Sequence, residues 1–585
     1  MSGNDEMDNK NGREQEHKVD AEFEDHGFGD ESDSDEEEKK HFEHTEVEWG
    51  QVSPDIKLAD LDINNFSATD LWEAPEGTTY DGRDAGPRLP KGHKQFSPLQ
   101  IVMLFFTREL MEFVVTQTNL YYLQSSSNPN APMLTLGEFT TWIGLHMLMV
   151  SCWSKNQDAY FGGEGGFDAR QYMSKARFYW IKRYLHFNDN TQMPPRGSPG
   201  YDPLYRLRPL VDYLNAMFCK YWKLSEYLSL DEMMIAFKGH NPFHCRIPRK
   251  PHPNGTKMHA ICDAIHYFCV QFLVDDKTTR TIAEIAGILF LGNVLPGMTV
   301  ITDRYYTCTD LVRFCMALGV GIIGSTMTIR FLSKNKFVGW STKSEVDQKP
   351  RGTFQVRKSR CGKVANIIWK DNGVVRLTCT TGSSVRCKVV RRKRGKASFL
   401  VNAPLVAQMF DKYFHGVDRN DQLRGSNYGL ALHFRAQKYT VKMFLGMWDI
   451  VLSNSFIVWR ILHPKDRKKH RSWFDQVARA LLEYNPDGDP DYQPYGRQKD
   501  ARQPHTLTPF SMGQAQRRGN RRLERKQADC VMCTTRLKRR RTTCGCIDCN
   551  VALHSGDCSD SWHSLTPEER KRKKPRYRKL DFDIG

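Results

Sequence analysis

Residues 227–237 read YLSLDEMMIAF. Bulky apolar residues dominate the run, which predicts a short strand, and Asp231 interrupts it. Successive side chains of a strand point to opposite faces, so Asp231 is expected in a different environment from Leu228 and Leu230. A carboxylate there is either a solvated charge or part of a site.

The sequence on either side frames that strand. TKMHAICDAIHYFCVQFLVDD (256–276) reads as two strands joined by a tight turn around Asp263 to His266. A helical TIAEIAGILFLG follows, then a strand MTVITD ending at Asp303, a helix TDLVRFCMALG and a strand VGIIGST. Three consecutive strands followed by alternating helix and strand predict an α/β fold, a mixed sheet covered by helices. Upstream, PLQIVMLFFTRELMEFVVTQTNLYYLQ and LGEFTTWIGLHMLMVSCW space apolar residues by three and four, which predicts a helical domain. Downstream, residues 328–405 are rich in Gly, Lys and Arg and carry strand-like pieces such as ANIIWKDNGVVRLTCTT, an expected β-rich insertion. The helical period returns at DRNDQLRGSNYGLALHFRAQKYTVKMFLGMWDIVLSNSFIVWRIL.

These shifts divide the chain. An acidic arm over 1–95 lacks a hydrophobic period and is expected to be largely disordered. The helical domain spans 96–225, the first part of the core 226–327, the insertion 328–407 and the second part of the core 408–464. A polar, Pro-rich linker over 465–528 leads to a cysteine-rich domain at 529–563 and a basic tail at 564–585.

The 585 residues carry a net charge of +17. Residues 1–50 hold nineteen Asp/Glu against five Lys/Arg, which leaves the rest near +31. A chain so divided points to a nucleic-acid partner for the folded part, with a solvated basic surface as the alternative. No apolar stretch follows a basic start, and no run approaches the roughly 18 uninterrupted apolar residues of a membrane span, so a soluble intracellular protein with no membrane partner is expected.

Asp303 ends an apolar strand at its carboxyl end, where open α/β sheets place ligands. In HGVDRNDQL (415–423), Asp418 opens the helix that follows the insertion, with Asp421 three residues on. If the strands of Asp231 and Asp303 are neighbours and that helix packs across them, three carboxylates converge. Such a set suits two Mg²⁺ ions about 4 Å apart, the arrangement that drives in-line phosphoryl transfer. Asp418 and Asp421 also suit a helix start, as a cap and an acid in the first turn, and the two roles are compatible.

Six of the sixteen cysteines crowd into residues 530–558. Cys530 and Cys533, then Cys546 and Cys549, then His554, Cys558 and His563 match tetrahedral Zn²⁺ ligation. So short a segment cannot bury a core, so the metal must supply its folding energy. Two Zn²⁺ ions need eight ligands; seven are clear, and Cys544 is the candidate eighth. Basic runs lie at RLKRRR between the cysteine pairs, at RKRKKPRYRK after the module and at RRKRGK (391–396) in the insertion. Each suits phosphate contact or nuclear import.

Taken in order, these blocks resemble the piggyBac family of transposases. LSLDEMMIAFKGHNPFHCRIPRKPHPNGTK resembles the block of its first acid, VITDRYYTC that of its second, and HGVDRNDQL that of its third. FFTREL, TQTNLYY, YLHFNDN and DPLYRLRPLVDYL resemble its N-terminal helical region, so the likeness runs from about residue 97 to 563. The resemblance implies a ribonuclease-H-like core interrupted by a β-rich insertion, preceded by a helical domain and followed by a small cross-braced zinc domain. It implies that Asp231, Asp303 and Asp418 hold two Mg²⁺ ions, with Asp421 as a further required acid. It also implies cut-and-paste transposition in the nucleus: DNA cleavage at terminal inverted repeats, hairpin formation, and strand transfer into TTAA targets. A homodimer is expected, since two element ends must be held together, and the zinc domain is expected to read the terminal DNA. The sequence departs from the family at Arg304, where Asn is usual, at His415, where Gly is usual, and at His554, where many relatives carry Cys. The first two keep a second reading open: a domesticated DNA- or chromatin-binding protein without cleavage. A generic ribonuclease-H-like nuclease would leave the zinc ligands unexplained.

Overall fold

The structure is a computed structural model. It describes residues 96–486 apart from 127–128, 153–156, 163–165, 249, 327–342, 360, 393–397, 426–427 and 467–469. It also describes 66–69, 71, 73, 80, 85–90, 507–509, 512–517, 520–525, 527–533, 541–546, 551–554 and 557–565.

From residue 98 the chain runs through the α-helices α1 (Pro98–Phe105), α2 (Arg108–Ser125), α3 (Leu136–Ser151), α4 (Lys175–Tyr184) and α5 (Arg208–Tyr221). Their starts are written locally. Ser97 with Gln100, and Thr135 with Glu138, form reciprocal capping boxes, each satisfying two main-chain amides that a helix start leaves unpaired.

The sheet begins before them, with β1 (Phe66–Thr69). It continues through β2 (Tyr227–Ala236), β3 (His244–Arg246), β4 (Asn254–Asp263) and β5 (Cys269–Val274). Helix α6 (Ile282–Phe290) leads to β6 (Thr299–Thr302), and α7 (Thr309–Ala317) to β7 (Gly321–Ser325). Strands β2, β4 and β5 are antiparallel neighbours, while β6 lies parallel between β2 and β7. The result is a mixed α/β fold of the kind the strand and helix periods predict.

The inserted strands do not stand apart. β8 (Phe354–Ser359), β9 (Ala365–Lys370) and β10 (Val374–Cys379) form a meander whose last strand pairs antiparallel with β7. The ten-stranded sheet therefore runs β1-β8-β9-β10-β7-β6-β2-β4-β3, with β5 on β4 beside β3. A hairpin of β11 (Arg386–Arg391) and β12 (Phe399–Pro404) then leads to α8 (Leu405–Tyr413). Ile301, Ile323, Trp369, Leu377, Val401 and Val406 share a buried cluster beneath it.

The helices that follow are α9 (Gly416–Arg424), α10 (Leu430–His433), α11 (Tyr439–Leu462) and α12 (His470–Leu482). α11 is the centre of the larger core: Phe444 and Trp448 pack against Phe106, and Gly446 lets the helix lie on Ile235 of β2, where a Cβ would come within 2.5 Å. Among the described residues it alone is long and apolar enough to cross a membrane, and its most apolar 18-residue window is wholly buried inside the protein. Helical region and sheet thus share one hydrophobic core.

Two segments differ from expectation. Phe66–Thr69, within the stretch expected to be disordered, pairs antiparallel with β8. A sheet edge offers unpaired main-chain groups to any chain that reaches it, and a four-residue strand is too short to show a period. His470–Leu482, within the stretch read as a linker, is a helix that buries Trp473, Phe474, Val477, Ala478, Leu481 and Leu482. Three-and-four spacing drives it inward despite the polar residues around it. The acidic segment 1–50 and the tail 566–585 lie outside the described residues.

Candidate active site

The strand order answers the question posed by Asp231. β2 and β6 are parallel neighbours whose register ends at Leu230↔Thr302, so Asp231, still within β2, and Asp303, just past β6, stand side by side. Asp418 reaches them from α9, and its carboxylate is felt at Asp231. The structure therefore brings together the three acids that the sequence singled out. It adds Glu232, the neighbour whose charge acts on both Asp231 and Asp303.

α9 is seated by close approach. A Cβ on Gly416 would lie 2.7 Å from Ser229 Cβ and 3.2 Å from Ala264 Cα. Ser229 Oγ donates to the Phe414 carbonyl at 2.7 Å and accepts from the Val417 amide at 3.4 Å. That strand hydroxyl serves the helix start, and His415 is the N-cap residue. Asp418 is consequently not the cap it was read as; it stands in the first turn and faces the acids. Gly416→Ala is expected to cost about 1–3 kcal/mol through overpacking and to push α9 off β2; urea unfolding of the variant measures it.

Two buried aspartates on neighbouring strands show what is unusual about Asp231. Asp263 is fully buried, yet it accepts from the amides of Ser225, Ile265 and His266 at 2.8–3.0 Å and from Trp222 Nε1 at 3.2 Å. Burial pushes its carboxyl up, but these donors and His266 hold it below the usual range. Asp231 is 6% exposed and accepts from the Glu232 amide at 2.7 Å. Burial first, then Glu232, Asp303 and Asp418, push its carboxyl up to about 9. Asp303 is raised by burial as well, although the amides of Tyr305 and Tyr306 donate to its Oδ1 at 2.7 and 3.2 Å. Asp418 is held low, chiefly by His415 and also by Lys250, its Oδ2 lying 3.7 Å from His415 Nδ1. A cluster of carboxylates around a buried Asp231 with a single amide donor suits a divalent cation, which supplies the missing charge and prefers hard oxygen ligands.

Asp421, three residues on from Asp418, is tied into an ion pair. It pairs with Arg424, a guanidinium only 6% exposed, whose Nη2 also donates to the Met234 carbonyl of β2 at 2.6 Å. The pair fastens α9 to the strand of Asp231. Farther along, Asp449 of α11 accepts from the amides of Leu430 and Ala431 at 2.8 and 2.9 Å, and Lys442 donates to the carbonyls of Ala431 and Phe434. Asp421→Asn would strand the guanidinium and is expected to cost about 2–3 kcal/mol, less than for a fully buried pair because Asp421 is partly exposed. Denaturant titration tests this.

In the cysteine-rich segment, Cys530, Cys533, His554 and Cys558 bring their ligand atoms within 4.8 Å of one another. Cys533 Sγ lies 3.2 Å from His554 Nδ1, and His554 Nε2 lies 3.1 Å from the Arg541 carbonyl, which orients the ring. Burial raises the Cys530 thiol, but the amides of Cys533, His554 and Met532 outweigh it and bring it down to about 7. Three thiols and an imidazole in this arrangement could hold zinc. Cys544 lies outside the set, with its Sγ 3.4 Å from the Leu553 carbonyl and from Thr542 Oγ1. Cys546 is buried in a short strand paired with Val551–Ala552, while Cys549 and the side chain of His563 lie outside the described residues. Of the basic runs, Arg391 is already paired with Asp371 and Asp411.

The family described as "Transposase IS4" matches residues 97–456, well over half of the chain and including all four aspartates. The chain belongs to the piggyBac-type DDE transposases. The human PiggyBac transposable element-derived protein 3 is 25% identical over 501 residues, which cover 80% of this chain and 76% of that protein. The human PiggyBac transposable element-derived protein 2 is 22% identical over 413 residues, 67% of each chain. A piggyBac transposase solved by cryo-EM in a synaptic complex with hairpin DNA shares the fold, with a TM-score of 0.56 and 17% identity over 68% of this chain and 82% of that one. Membership in this DDE family implies divalent metals.

Proposed function

We propose that this chain is a DNA transposase that excises and reinserts an element by two-metal phosphoryl transfer on a ribonuclease-H-like core. The carrying observation is Asp231, buried within β2 and short of donors, beside Asp303 just past the end of the neighbouring β6, with Asp418 docked from α9. The order β5-β4-β2-β6-β7, three strands antiparallel and two parallel, supports the core assignment.

On this reading Asp231, Asp303 and Asp418 hold two Mg²⁺ ions, which supply charge to activate an attacking oxygen and to stabilise the leaving one. The protein's own part is to hold these oxygens still. The amides of Tyr305 and Tyr306 fix one oxygen of Asp303, and Ser229, Gly416 and the Asp421–Arg424 pair fix the helix that carries Asp418. The reaction frees a 3′-hydroxyl at the element's end, which attacks the opposite strand to give a hairpin; after the hairpin opens, the same hydroxyl joins a TTAA target. The cysteine-rich segment, holding zinc through Cys530, Cys533, His554 and Cys558 and a second ion through ligands that include Cys546, Cys549 and His563, reads the terminal repeats. The protein acts in the nucleus as a dimer that joins two element ends.

Arg304, exposed beside Asp303, favours a second reading, a DNA-binding protein without cleavage. Incubating the protein and Mg²⁺ with DNA bearing the element's inverted repeats separates them. Cleavage at the repeat ends is the expected result; repeats bound but left uncut would leave the binding reading standing.

A further inference from the structure

The acid cluster already contains a cation. Lys250 stands in the loop after β3, closed by the Ile247 amide on the Pro253 carbonyl at 2.8 Å and by the Lys250 amide on the Ile247 carbonyl at 3.2 Å. From it the Lys250 ammonium donates to the Glu232 carbonyl at 3.1 Å. It lies 3.9 Å from Glu232 Oε1 and 3.7 Å from Asp418 Oδ1, with its side chain only 20% exposed. A lysine so placed has lost much of its water, and its charge is answered by the carboxylates of Glu232 and Asp418 beside it, with Asp231 and Asp421 also acting on it.

An ammonium and a divalent ion have opposite demands on such a site. Both are drawn to the same oxygens, and each raises the cost of the other's presence there. Without metal, the ammonium offsets the repulsion among the acids and ties α9 to β2 through Asp418 and Glu232. With metal, that charge is in excess. We propose that Lys250 is the resident counter-ion of the acid cluster, and that divalent cations must displace it as they load. It is thus a positioning residue that keeps the empty site assembled and lowers the site's affinity for metal. This rests on the reading that the acids hold Mg²⁺.

The test is Mg²⁺ binding by the full-length protein, followed by calorimetric titration and by thermal unfolding in EDTA and in Mg²⁺. Lys250→Met, which keeps the side chain's length without its charge, is expected to bind Mg²⁺ about tenfold more tightly than the parent. It should melt lower in EDTA and gain more from added Mg²⁺, while Lys250→Arg stays near the parent. A Met variant unfolded in EDTA that folds when Mg²⁺ is added supports the proposal equally. Unchanged or weaker Mg²⁺ binding by a folded Met variant overturns it, and so does a variant that folds under neither condition, which would assign Lys250 to the fold alone. If neither the parent nor Lys250→Met takes up Mg²⁺, the metal-holding reading of the acids falls and this inference with it.

Discussion

Asp303→Ala is expected to lower DNA excision by on the order of 10³-fold or more while leaving repeat binding intact. A metal's contribution to a phosphoryl-transfer barrier is several kcal/mol, and each 1.4 kcal/mol is about tenfold in rate. Asp303 follows the end of β6, and one of its oxygens accepts from two amides of the turn beyond, so its loss removes a ligand at some cost to that turn but outside the β6 ladder. The companion variant Asp231→Asn should lose excision similarly and yet melt higher than the parent in EDTA. Its sign follows from the folded carboxyl standing near 9 against 3.8 when unconstrained. Between those values the folded chain holds a proton that the unfolded chain has released, so stability falls as pH rises. Asparagine escapes that cost. Its advantage in melting temperature, several degrees at pH 8, should shrink toward pH 4, and added Mg²⁺ should favour the parent instead. Excision that survives Asp303→Ala would refute the assignment of the site; an Asn variant no more stable at pH 8 than at pH 4 would refute its electrostatics.

How far the site was legible depended on whether its cause lay in local pattern or in pairing. The strand of Asp231, the strand-ending Asp303 and the helix of Asp418 are all written in apolar periods, but their meeting was conditional on β2 and β6 being neighbours. That pairing is a matter of topology, and short apolar strands do not encode it. Lys250 reaches Glu232 from eighteen residues away around a closed loop, and no period marks such a contact. Asp418 was misplaced as a cap because the group that serves the start of α9 is Ser229, 188 residues upstream of Val417. The edge strand β1 is a four-residue segment set by its pairing with β8, far along the chain, and a segment so short carries no period to announce it. α12 is the opposite case: Trp473, Phe474, Val477 and Leu481 keep a helical period, obscured by the polar composition around them. The zinc ligands were recognisable from spacing, whereas the choice of Cys530 and Cys533 with His554 and Cys558 needed the chain to turn back on itself.

That choice sets up the second large effect. Removing zinc with a strong chelator, or Cys533→Ser, is expected to unfold the segment around residues 528–565 and to reduce repeat-specific DNA binding by on the order of 10³-fold, toward the non-specific level. Its apolar cluster of Cys530, Cys546, Val551, Leu553 and Trp562 is too small to offset the entropy of ordering so many residues. A structural zinc contributes on the order of 10–16 kcal/mol to folding such units. The main core, with its own sheet and central α11, has no share in these ligands and should melt unchanged. Limited proteolysis measures the first effect, and binding to repeat against scrambled DNA the second. Cys544→Ser provides the control. Its sulfur lies against the Leu553 carbonyl and the Thr542 hydroxyl and outside the four-ligand set, so the first metal should stay bound in that variant. A Cys533→Ser protein that keeps both protease resistance and repeat preference would show that the segment folds without this metal, and the assignment of the four ligands would fail.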